Sequence, residues 1–344
     1  MKILVDAFGG DNAPLEIIKG SIDAKNEFGC DIVLVGNEEK VRACAQENGL
    51  DLSGLILQDA GEEIPVEEDP RKILKAYRGS SMGTGLQMLA AGEGDAFVTS
   101  GSTGALVIGA NYFVKRIKGV RRAAIGTLIP SDKDPYLLLD CGANIDCTPD
   151  TLNVFAIMGK IFMEKVRGVE DPKVGLANIG VEPNKGTKLQ VESYQKMQES
   201  EDYNFIGNVE FRDIPYGAAD VVVCDGYTGN VYLKTLEGTA MMLMGNVKGV
   251  FKKNFLTKLG AVSMLGGIKE LKAKLDLNEY GGAPIIGLRK PVIKSHGVVK
   301  AKAFKNAIRE AIKYADSGVI EAIATSVPQH VPATAEAPAE EASE

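Results

Sequence analysis

The chain has 344 residues, a net charge of -7 and no tryptophan. This acidic composition, poor in aromatic residues, argues against general nucleic-acid binding, which relies on basic patches and stacking side chains. No apolar run approaches the ~20 residues of a membrane span, and an acidic residue interrupts the apolar N-terminus, so we expect a cytoplasmic protein without a signal peptide.

Short apolar runs alternate with helix-length segments along the chain. In chain order, the predicted strands are 2–6, 31–36, 54–58, 95–100, 123–129, 136–140, 173–180, 204–207, 221–225 and 292–294. The predicted helices are 14–28, 151–167 and 301–314. This alternation predicts an α/β fold with a mostly parallel sheet and helices on both faces, over residues 1–327 as one domain or two lobes. The tail 328–344 is rich in Ala, Pro and Glu and is predicted to be disordered.

Four predicted strands end in a small or acidic residue and continue into a glycine-rich polar turn. These segments are KILVDAFGGDNAP, DAFVTSGSTGA, YLLLDCGANIDCTP and VVVCDGYTGN. Because ligands of parallel α/β sheets bind beyond the carboxyl ends of the strands, we expect the four ends to line one cleft. Their glycines would let backbone N–H groups approach a ligand. The alternative is that these are ordinary turns, which also favour Gly and Asp.

The residue types in these turns suit an oxyanion such as phosphate. The sequence has no dinucleotide or nucleoside-triphosphate glycine motif and no cluster of metal-ligating residues. It offers hydroxyls, amides and a lysine instead. In NIGVEPNKGTKL, Lys185 and Gly186 directly precede a predicted helix, where a cation and free N–H groups would favour an anion. The alternative is a solvated loop lysine.

A series of motifs gives the chain a resemblance to a known family. In order they are VDAFGGDNAP, SSM, SGSTGAL, RIKG, LLLDCGAN, NIG, NFIGNVEFRD, VVVCDGYTGNV, LKTLEG, YGGAPIIGL and VIKSHG. Over about residues 1–325 the chain resembles the acyl carrier protein:phosphate acyltransferases of bacterial phospholipid synthesis. One position departs from the family, whose first motif commonly reads GGDHAP, whereas this chain has Asn12. We expect this position to orient a ligand rather than to transfer a proton.

The resemblance implies a reaction, a fold and partners. Inorganic phosphate would attack a long-chain acyl thioester on acyl carrier protein, giving acyl phosphate and the free carrier. The fold would be a three-layer α/β/α arrangement similar to isocitrate and isopropylmalate dehydrogenases and to phosphate acetyltransferase. The enzyme would need no cofactor or metal, form a homodimer, and lie peripherally on the inner face of the cell membrane. Its product would pass to a downstream acyl-phosphate:glycerol-3-phosphate acyltransferase.

The resemblance also assigns residues to this reaction. The family's catalytic lysine and asparagine fall on Lys185 and Asn230. We expect Lys185 to hold phosphate or the carbonyl oxyanion, and Asn230 to donate a hydrogen bond to one of them. The predicted substrate-binding residues are Asp6, Gly9, Gly10, Asn12, Ser81, Ser100, Ser102, Thr103, Gly104, Asp140, Asn144, Gly186, Asp225, Gly226, Gly229 and His296.

For some of these residues a second role stays open. Asp6, Asp140 and Asp225 are expected mainly to fix turns, because three carboxylates would repel a phosphate. His296 is expected either to bind the ligand or to cap a helix. Cys141 and Cys224 could carry the acyl group, but a buried thiol without an activating base favours direct transfer.

Two basic surfaces suggest contacts with partners. Residues 248–275 contain seven lysines and one acid, interleaved with apolar residues at helical spacing. They predict either a membrane-binding tip or a pair of core helices with solvated lysines, and the family resemblance favours the tip. Its membrane contacts would be Phe255, Leu256, Leu259, Val262 and Leu265. The cluster KRIKGVRR, residues 115–122, is either a dock for the acidic carrier protein or a solvated helix end.

Two other functions compete with phosphate acyl transfer. A decarboxylating dehydrogenase on a similar fold would need arginines for its substrate, and the predicted cleft loops contain no arginine cluster. A non-catalytic adaptor at the membrane surface would not need four polar strand ends.

Overall fold

The computed structural model describes residues 1–61, 63–65, 67–254, 257, 260–261, 264, 266–268 and 277–327. The predicted membrane contacts Phe255, Leu256, Leu259, Val262 and Leu265, and the tail 328–344, lie outside these residues. Of the helices described, none is both long enough and apolar enough to cross a bilayer.

One sheet of eleven strands is present in the described part of the chain. The strands are β1 Lys2–Asp6, β2 Asp31–Gly36, β3 Ile56–Asp59, β4 Ala96–Thr99, β5 Ala124–Ile129, β6 Tyr136–Leu139, β7 Lys173–Asn178, β8 Asn204–Glu210, β9 Val221–Val223, β10 Ala283–Ile286 and β11 Val292–Lys294. Every strand predicted from the sequence is found, with small shifts at the ends. β10 was not predicted, because it contains a proline and has glycines on both sides, a composition that resembles a loop.

The sheet contains two parallel groups that run in opposite directions. The strand order is β3-β2-β1-β4-β11-β10-β5-β6-β9-β7-β8. The first five strands are mutually parallel, and so are the last four. Three antiparallel pairings, β11 with β10, β10 with β5 and β5 with β6, join the groups. The mostly parallel sheet is confirmed. The carboxyl ends of β1 and β4 point in the opposite direction from those of β6 and β9. Residues of all four predicted turns nevertheless line one cleft, as expected, namely Gly9, Ser100, Gly142 and Asn230.

Nine α-helices are described. They are α1 Leu15–Phe28, α2 Glu38–Glu47, α3 Ser81–Ala91, α4 Thr103–Gly109, α5 Pro149–Arg167, α6 Lys188–Gln198, α7 Gly226–Lys252, α8 Ala301–Asp316 and α9 Val319–Ser326. Short 3₁₀ helices occupy Pro70–Leu74, Ile214–Tyr216 and Leu277–Tyr280, and a π turn follows α4 at Ala110–Val114. α1 and α5 stop at Gly29 and Gly168, whose positive φ angles of 67° and 69° are typical of helix C-termini.

Helices cover both faces of the sheet. Ile3 and Val5 belong to a core shared with α1, α5 and α8, whereas Leu4 lies in a second core with α3 and α4. Successive side chains of a strand point to opposite faces, so this alternation means that both faces are buried. The buried faces explain the continuous apolar strands in the sequence, and the predicted three-layer α/β/α arrangement is confirmed.

Helix α7 packs against the rest of the molecule mainly through its first turns. Gly226 and Gly229 are its only fully buried residues. Farther along the helix, Met241, Met242 and Val250 are 72%, 59% and 62% exposed. α7 therefore begins at the sheet and ends as a helix with exposed apolar side chains, at the start of the segment predicted to bind the membrane.

Candidate functional site

A cleft of about 850 Å³ is lined by the ends of β1, β4 and β11, by β5 and by the first turns of α7. The predicted site residues at its wall are Asp6, Gly9, Gly10, Ser81, Ser100, Ser102, Thr103, Gly104, Asn230 and His296. Apolar side chains line it as well, including Phe8, Ile64, Met82, Leu128 and Leu233. The cleft thus offers polar groups and an apolar surface together.

The glycine-rich turns after β1 and β4 meet at this cleft. Gly10 has a φ angle of 97°, in the region that favours glycine. A Cβ atom on Gly9 would lie 2.6 Å from the backbone nitrogen of Gly101 and 2.7 Å from Oδ2 of Asp6. The two turns can approach this closely only because a side chain is absent at Gly9.

Asp6, at the end of β1, is hydrogen-bonded to the end of β4 next to the glycine-rich turns. Its Oδ2 accepts a hydrogen bond of 2.6 Å from the Thr99 hydroxyl, and its Oδ1 accepts one of 3.2 Å from the backbone N–H of Phe8. Burial raises the pKa of Asp6. Hydrogen bonds from Ser81 and Thr99 lower it, but by less. The carboxyl group therefore supports the turns, as expected, while it also faces the cleft.

Lys294 is a cleft residue that the sequence analysis did not single out. It ends β11, and its Nζ donates a 3.2 Å hydrogen bond to the carbonyl of Ser100. Burial lowers the pKa of Lys294 to about 8, although the negative charge of Asp6 acts to raise it. The motif VIKSHG does carry a signal, since a short apolar strand again ends in a polar residue followed by glycine.

His296 lies beside two charged residues, Glu237 and Lys234, at the cleft wall. Its Nε2 lies 3.7 Å from Oε1 of Glu237, and Lys234 Nζ lies 2.7 Å from Oε2 of the same carboxylate. The hydrogen bonds to His296 and to Lys234 hold the pKa of Glu237 below its usual range. Glu237 thus offsets the charge of Lys234 on α7 and contacts His296 in the loop after β11.

Asp140 and Asn144 lie below the cleft wall. Asp140 is fully buried and accepts hydrogen bonds from the backbone N–H groups of Ile125, Gly142, Ala143 and Asn144, at 2.7–3.2 Å. Asn144 Nδ2 donates to Asp140 at 2.9 Å and to the Ala123 carbonyl at 2.8 Å. Both carboxylate oxygens of Asp140 are therefore used within the protein, which supports its expected role in fixing the turn. A contact of Asp140 with substrate stays a prediction. Gly142, in the loop that this carboxylate holds, does line the cleft.

The segment VVVCDGYTGN fixes the start of α7, and of its residues Asn230 lines the cleft. Asp225 caps the helix, since its Oδ1 accepts a 2.9 Å hydrogen bond from the backbone N–H of Thr228. The N–H of Gly226 donates to the Asn144 carbonyl at 2.7 Å. A Cβ atom on Gly229 would lie 1.9 Å from the Asp140 carbonyl oxygen, so only glycine allows α7 to lie this close to the loop after β6. Asp225, Gly226 and Gly229 thus place Asn230 at the cleft wall.

Three other predicted site residues do not line the cleft. Asn12 Nδ2 donates a 3.0 Å hydrogen bond to the Val299 carbonyl and so joins the first turn to the loop after β11. Lys185 and Gly186 are exposed, in the loop between β7 and α6. The Lys185 carbonyl accepts a 3.0 Å hydrogen bond from Asn178 Nδ2, which fixes the loop backbone. The role of Lys185 stays a prediction.

The two candidate cysteine nucleophiles are buried and protonated. Burial raises the pKa of Cys141 to about 12 and that of Cys224 well above its usual value. Their thiols donate to the carbonyls of Leu138 at 3.3 Å and Asp140 at 3.5 Å. A thiolate would be strongly disfavoured at either position, which supports direct transfer over a covalent acyl intermediate.

The fold is the α/β arrangement also found in solved structures of a phosphotransacetylase and of a dehydrogenase. A phosphotransacetylase from Streptococcus pyogenes aligns with a TM-score of 0.63 and 18% identity, over 92% of this chain and 94% of that structure. A 4-hydroxythreonine-4-phosphate dehydrogenase from Klebsiella pneumoniae aligns with a TM-score of 0.54 and 14% identity, over 92% and 99%. At these identities the likeness shows the fold alone, and it confirms the expected fold class.

Residues 1–322 match the family described as "Fatty acid synthesis protein", and the chain belongs to this family. It is 45% identical to the phosphate acyltransferase of Thermoanaerobacterium thermosaccharolyticum over 323 residues, 94% of this chain and 96% of that relative. It is 43% identical to the phosphate acyltransferase of Acetivibrio thermocellus, over 94% and 95%. The resemblance to phosphate acyltransferases and the prediction of an enzyme are confirmed.

Proposed function

We propose that the chain transfers a long-chain acyl group from the thioester of acyl carrier protein to inorganic phosphate, and that the acyl phosphate serves phospholipid synthesis. The observation that carries this proposal is the composition of the cleft. Asn230, Ser100 and the partly buried Lys294 supply hydrogen-bond donors, and Phe8, Met82 and Leu233 supply apolar surface. A phosphate and the reacting end of an acyl chain need these two kinds of surface side by side.

The reaction needs positioning more than a strong base. A phosphate oxygen forms the new bond to the thioester carbon, and the carbon–sulfur bond breaks with its electron pair on sulfur. Phosphate is already an anion at neutral pH, so its nucleophilic oxygen need not be created. The sulfur leaves as the thiolate of a thiol with a pKa on the order of 8.5, so proton transfer to it is not essential.

The costly step is the growth of negative charge on the carbonyl oxygen. We assign Asn230 and Lys185 to this step or to the phosphate, with one preorganised donor contributing roughly 2.7–4 kcal/mol. Asn230 packs beside Gly142, where a Cβ atom would lie 3.5 Å from its Cγ, and this contact limits where its amide can point. Holding the two reactants in register contributes a further ~7–11 kcal/mol.

The assay that tests this function uses purified full-length chain, an acyl carrier protein thioester and inorganic phosphate. We expect acyl phosphate to form in step with the free carrier thiol, and no turnover when sulfate replaces phosphate. The same preparation should not reduce NAD with a 2-hydroxy acid. Thioester that stays intact with phosphate present, or hydride transfer to NAD, would contradict the proposal.

Two surfaces support the proposed protein partners. Lys115, Arg116, Lys118, Arg121 and Arg122 are all exposed, so this cluster is free to bind an acidic carrier protein. We also propose a homodimer. Ile179 and Val181, in the loop that carries Lys185, are 80% and 61% exposed, and such apolar side chains favour burial against a second copy.

We further propose that residues 248–275 bind the membrane surface peripherally, at the inner face of the cell membrane. Support comes from the seven lysines of this segment and from the exposed apolar side chains of α7 that lead into it. Each lysine near an anionic surface contributes about 1 kcal/mol.

The variant Leu259→Glu/Val262→Glu should lose most of its binding to vesicles that contain anionic lipid. The change places two negative charges where the proposed segment buries apolar side chains, and co-sedimentation measures the loss. Ile56→Glu is the control, because Ile56 is 49% exposed on the edge strand β3. The membrane proposal fails if the double variant co-sediments as well as the Ile56 control.

A further inference from the structure

Lys294 is held at the cleft by strand pairing. β11 runs parallel to β4, with Lys294 opposite Thr99, so the lysine reaches the residue that follows β4. Its Nζ donates to the carbonyl oxygens of Ser100, at 3.2 Å, and of Ser295. An ammonium group has three N–H donors, so one donor remains for another partner.

The charge of Lys294 has no ion-pair partner among the described residues. Lys234, which also lines the cleft, differs in this respect, since Glu237 lies 2.7 Å from its Nζ. Asp6 and Asp11 attract Lys294 from farther away, but neither approaches within ion-pair distance. A partly buried, unpaired cation is costly unless an anion joins it.

A second unused group lies next to this cation. Ser100 is 1% exposed and lines the cleft, and its Oγ has no hydrogen-bond partner in the part of the chain that the structure describes. Buried hydroxyls are normally hydrogen-bonded, so an unpaired one at a cleft wall indicates a missing ligand. The ligand must accept hydrogen bonds from two groups that lie close together in one wall of the cleft, the Lys294 ammonium and the Ser100 hydroxyl.

We propose that Lys294 and the Ser100 hydroxyl form the phosphate subsite of the cleft, with the free N–H of Lys294 and Ser100 Oγ both donating to phosphate oxygens. This inference rests on the proposed function, because it names the place where the attacking phosphate is held. It leaves Asn230 and Lys185 to serve the carbonyl oxygen of the thioester. The glycine turns at Gly9 and Gly10 border the same place and leave it free of side chains.

The variant Lys294→Met keeps most of the side-chain volume and removes the charge. We expect the KM for phosphate to rise about tenfold or more, since hydrogen bonds to charged groups are the strong ones. The KM for the acyl thioester should change less than twofold. Lys290→Met is the matched control, because Lys290 is exposed four residues earlier in the chain. Its kinetics should equal those of the unaltered chain.

Ser100→Ala keeps the inference testable if Lys294→Met fails to fold, because it removes a hydroxyl that makes no hydrogen bond within the described protein. We expect its KM for phosphate to rise about threefold to tenfold. Inorganic phosphate alone, without thioester, should raise the Tm of the unaltered chain. This increase in Tm should be smaller in both variants, because a ligand stabilises a protein in proportion to how tightly it binds the folded state.

The outcomes separate this inference from the proposed function. If the unaltered chain makes acyl phosphate while both variants keep the KM for phosphate and the Tm increase, the subsite is wrong and the function stands. Alternatively, the unaltered chain makes no acyl phosphate, and phosphate raises its Tm but not that of Lys294→Met. In that case the phosphate site stands and the function is wrong.

Discussion

We expect Lys185→Ala to lower turnover about 100-fold or more while the protein stays folded. A single donor to a developing oxyanion or a bound phosphate is worth a loss of this size. The fold should survive, because the hydrogen bonds of this residue that the structure shows come from its backbone. Its N–H donates to the Glu182 carbonyl at 3.1 Å, and its carbonyl accepts from Asn178 at 3.0 Å. Steady-state turnover with saturating phosphate and thioester measures the effect, and a thermal melt confirms the fold.

Lys188→Ala is the matched control for this experiment. Lys188 is 87% exposed at the start of α6, and its Nζ lies 3.6 Å from a carboxylate oxygen of Glu192 on the same helix. An exposed pair of this kind contributes little, so activity and stability should both stay unchanged. Turnover of Lys185→Ala equal to that of Lys188→Ala, in protein that melts normally, would remove Lys185 from the mechanism.

The alternation of apolar strands and helices was enough to predict the layers of the fold. Both faces of the sheet are covered, so strands such as Val221–Val223 are apolar throughout, and this property is visible in the sequence. The reversal of direction between the two parallel groups was not visible. It depends on the antiparallel pairing of β10 with β5, which lie far apart in the chain, and strand pairing over such distances leaves no local pattern.

The site was predictable where local chemistry determined it. Gly9, Gly10 and Ser100 stand out because a glycine-rich turn after a strand is a local signal, and the structure brings all three to the cleft. Asp140 also stands at a strand end before a glycine-rich turn, but its carboxylate does not line the cleft. It accepts hydrogen bonds from the loop that follows it and so orders that loop. A sequence cannot separate these cases, because in both a strand ends in a polar residue that is followed by glycine. Lys294 gains its importance from burial and from the absence of an ion pair, and these are properties of the folded protein.

Gly229→Ala should destabilise the protein by about 3 kcal/mol or more, at the upper end of the range for overpacked sites. The added Cβ atom would lie 1.9 Å from the Asp140 carbonyl oxygen and 2.9 Å from Cys224 Sγ. Neither atom can move easily, because Asp140 is part of a hydrogen-bonded loop and Cys224 is buried behind it. Chemical denaturation measures the loss of stability. Turnover should fall as well, because a shift of α7 moves Asn230, the next residue, away from the cleft wall.

Gly238→Ala, in the same helix, is the control for this substitution. A Cβ atom on Gly238 meets no atom within 4 Å among the residues that the structure describes, and alanine has the higher helix propensity. This variant should therefore be as stable as the unaltered chain or more stable, by about 0.5–1 kcal/mol. The two substitutions should change the stability in opposite directions. This difference distinguishes close packing of α7 on the loop after β6 from a general effect of alanine in this helix. Equal stability of the two variants would mean that α7 does not approach Asp140 closely in solution, and Asn230 would then lack the support that places it at the cleft.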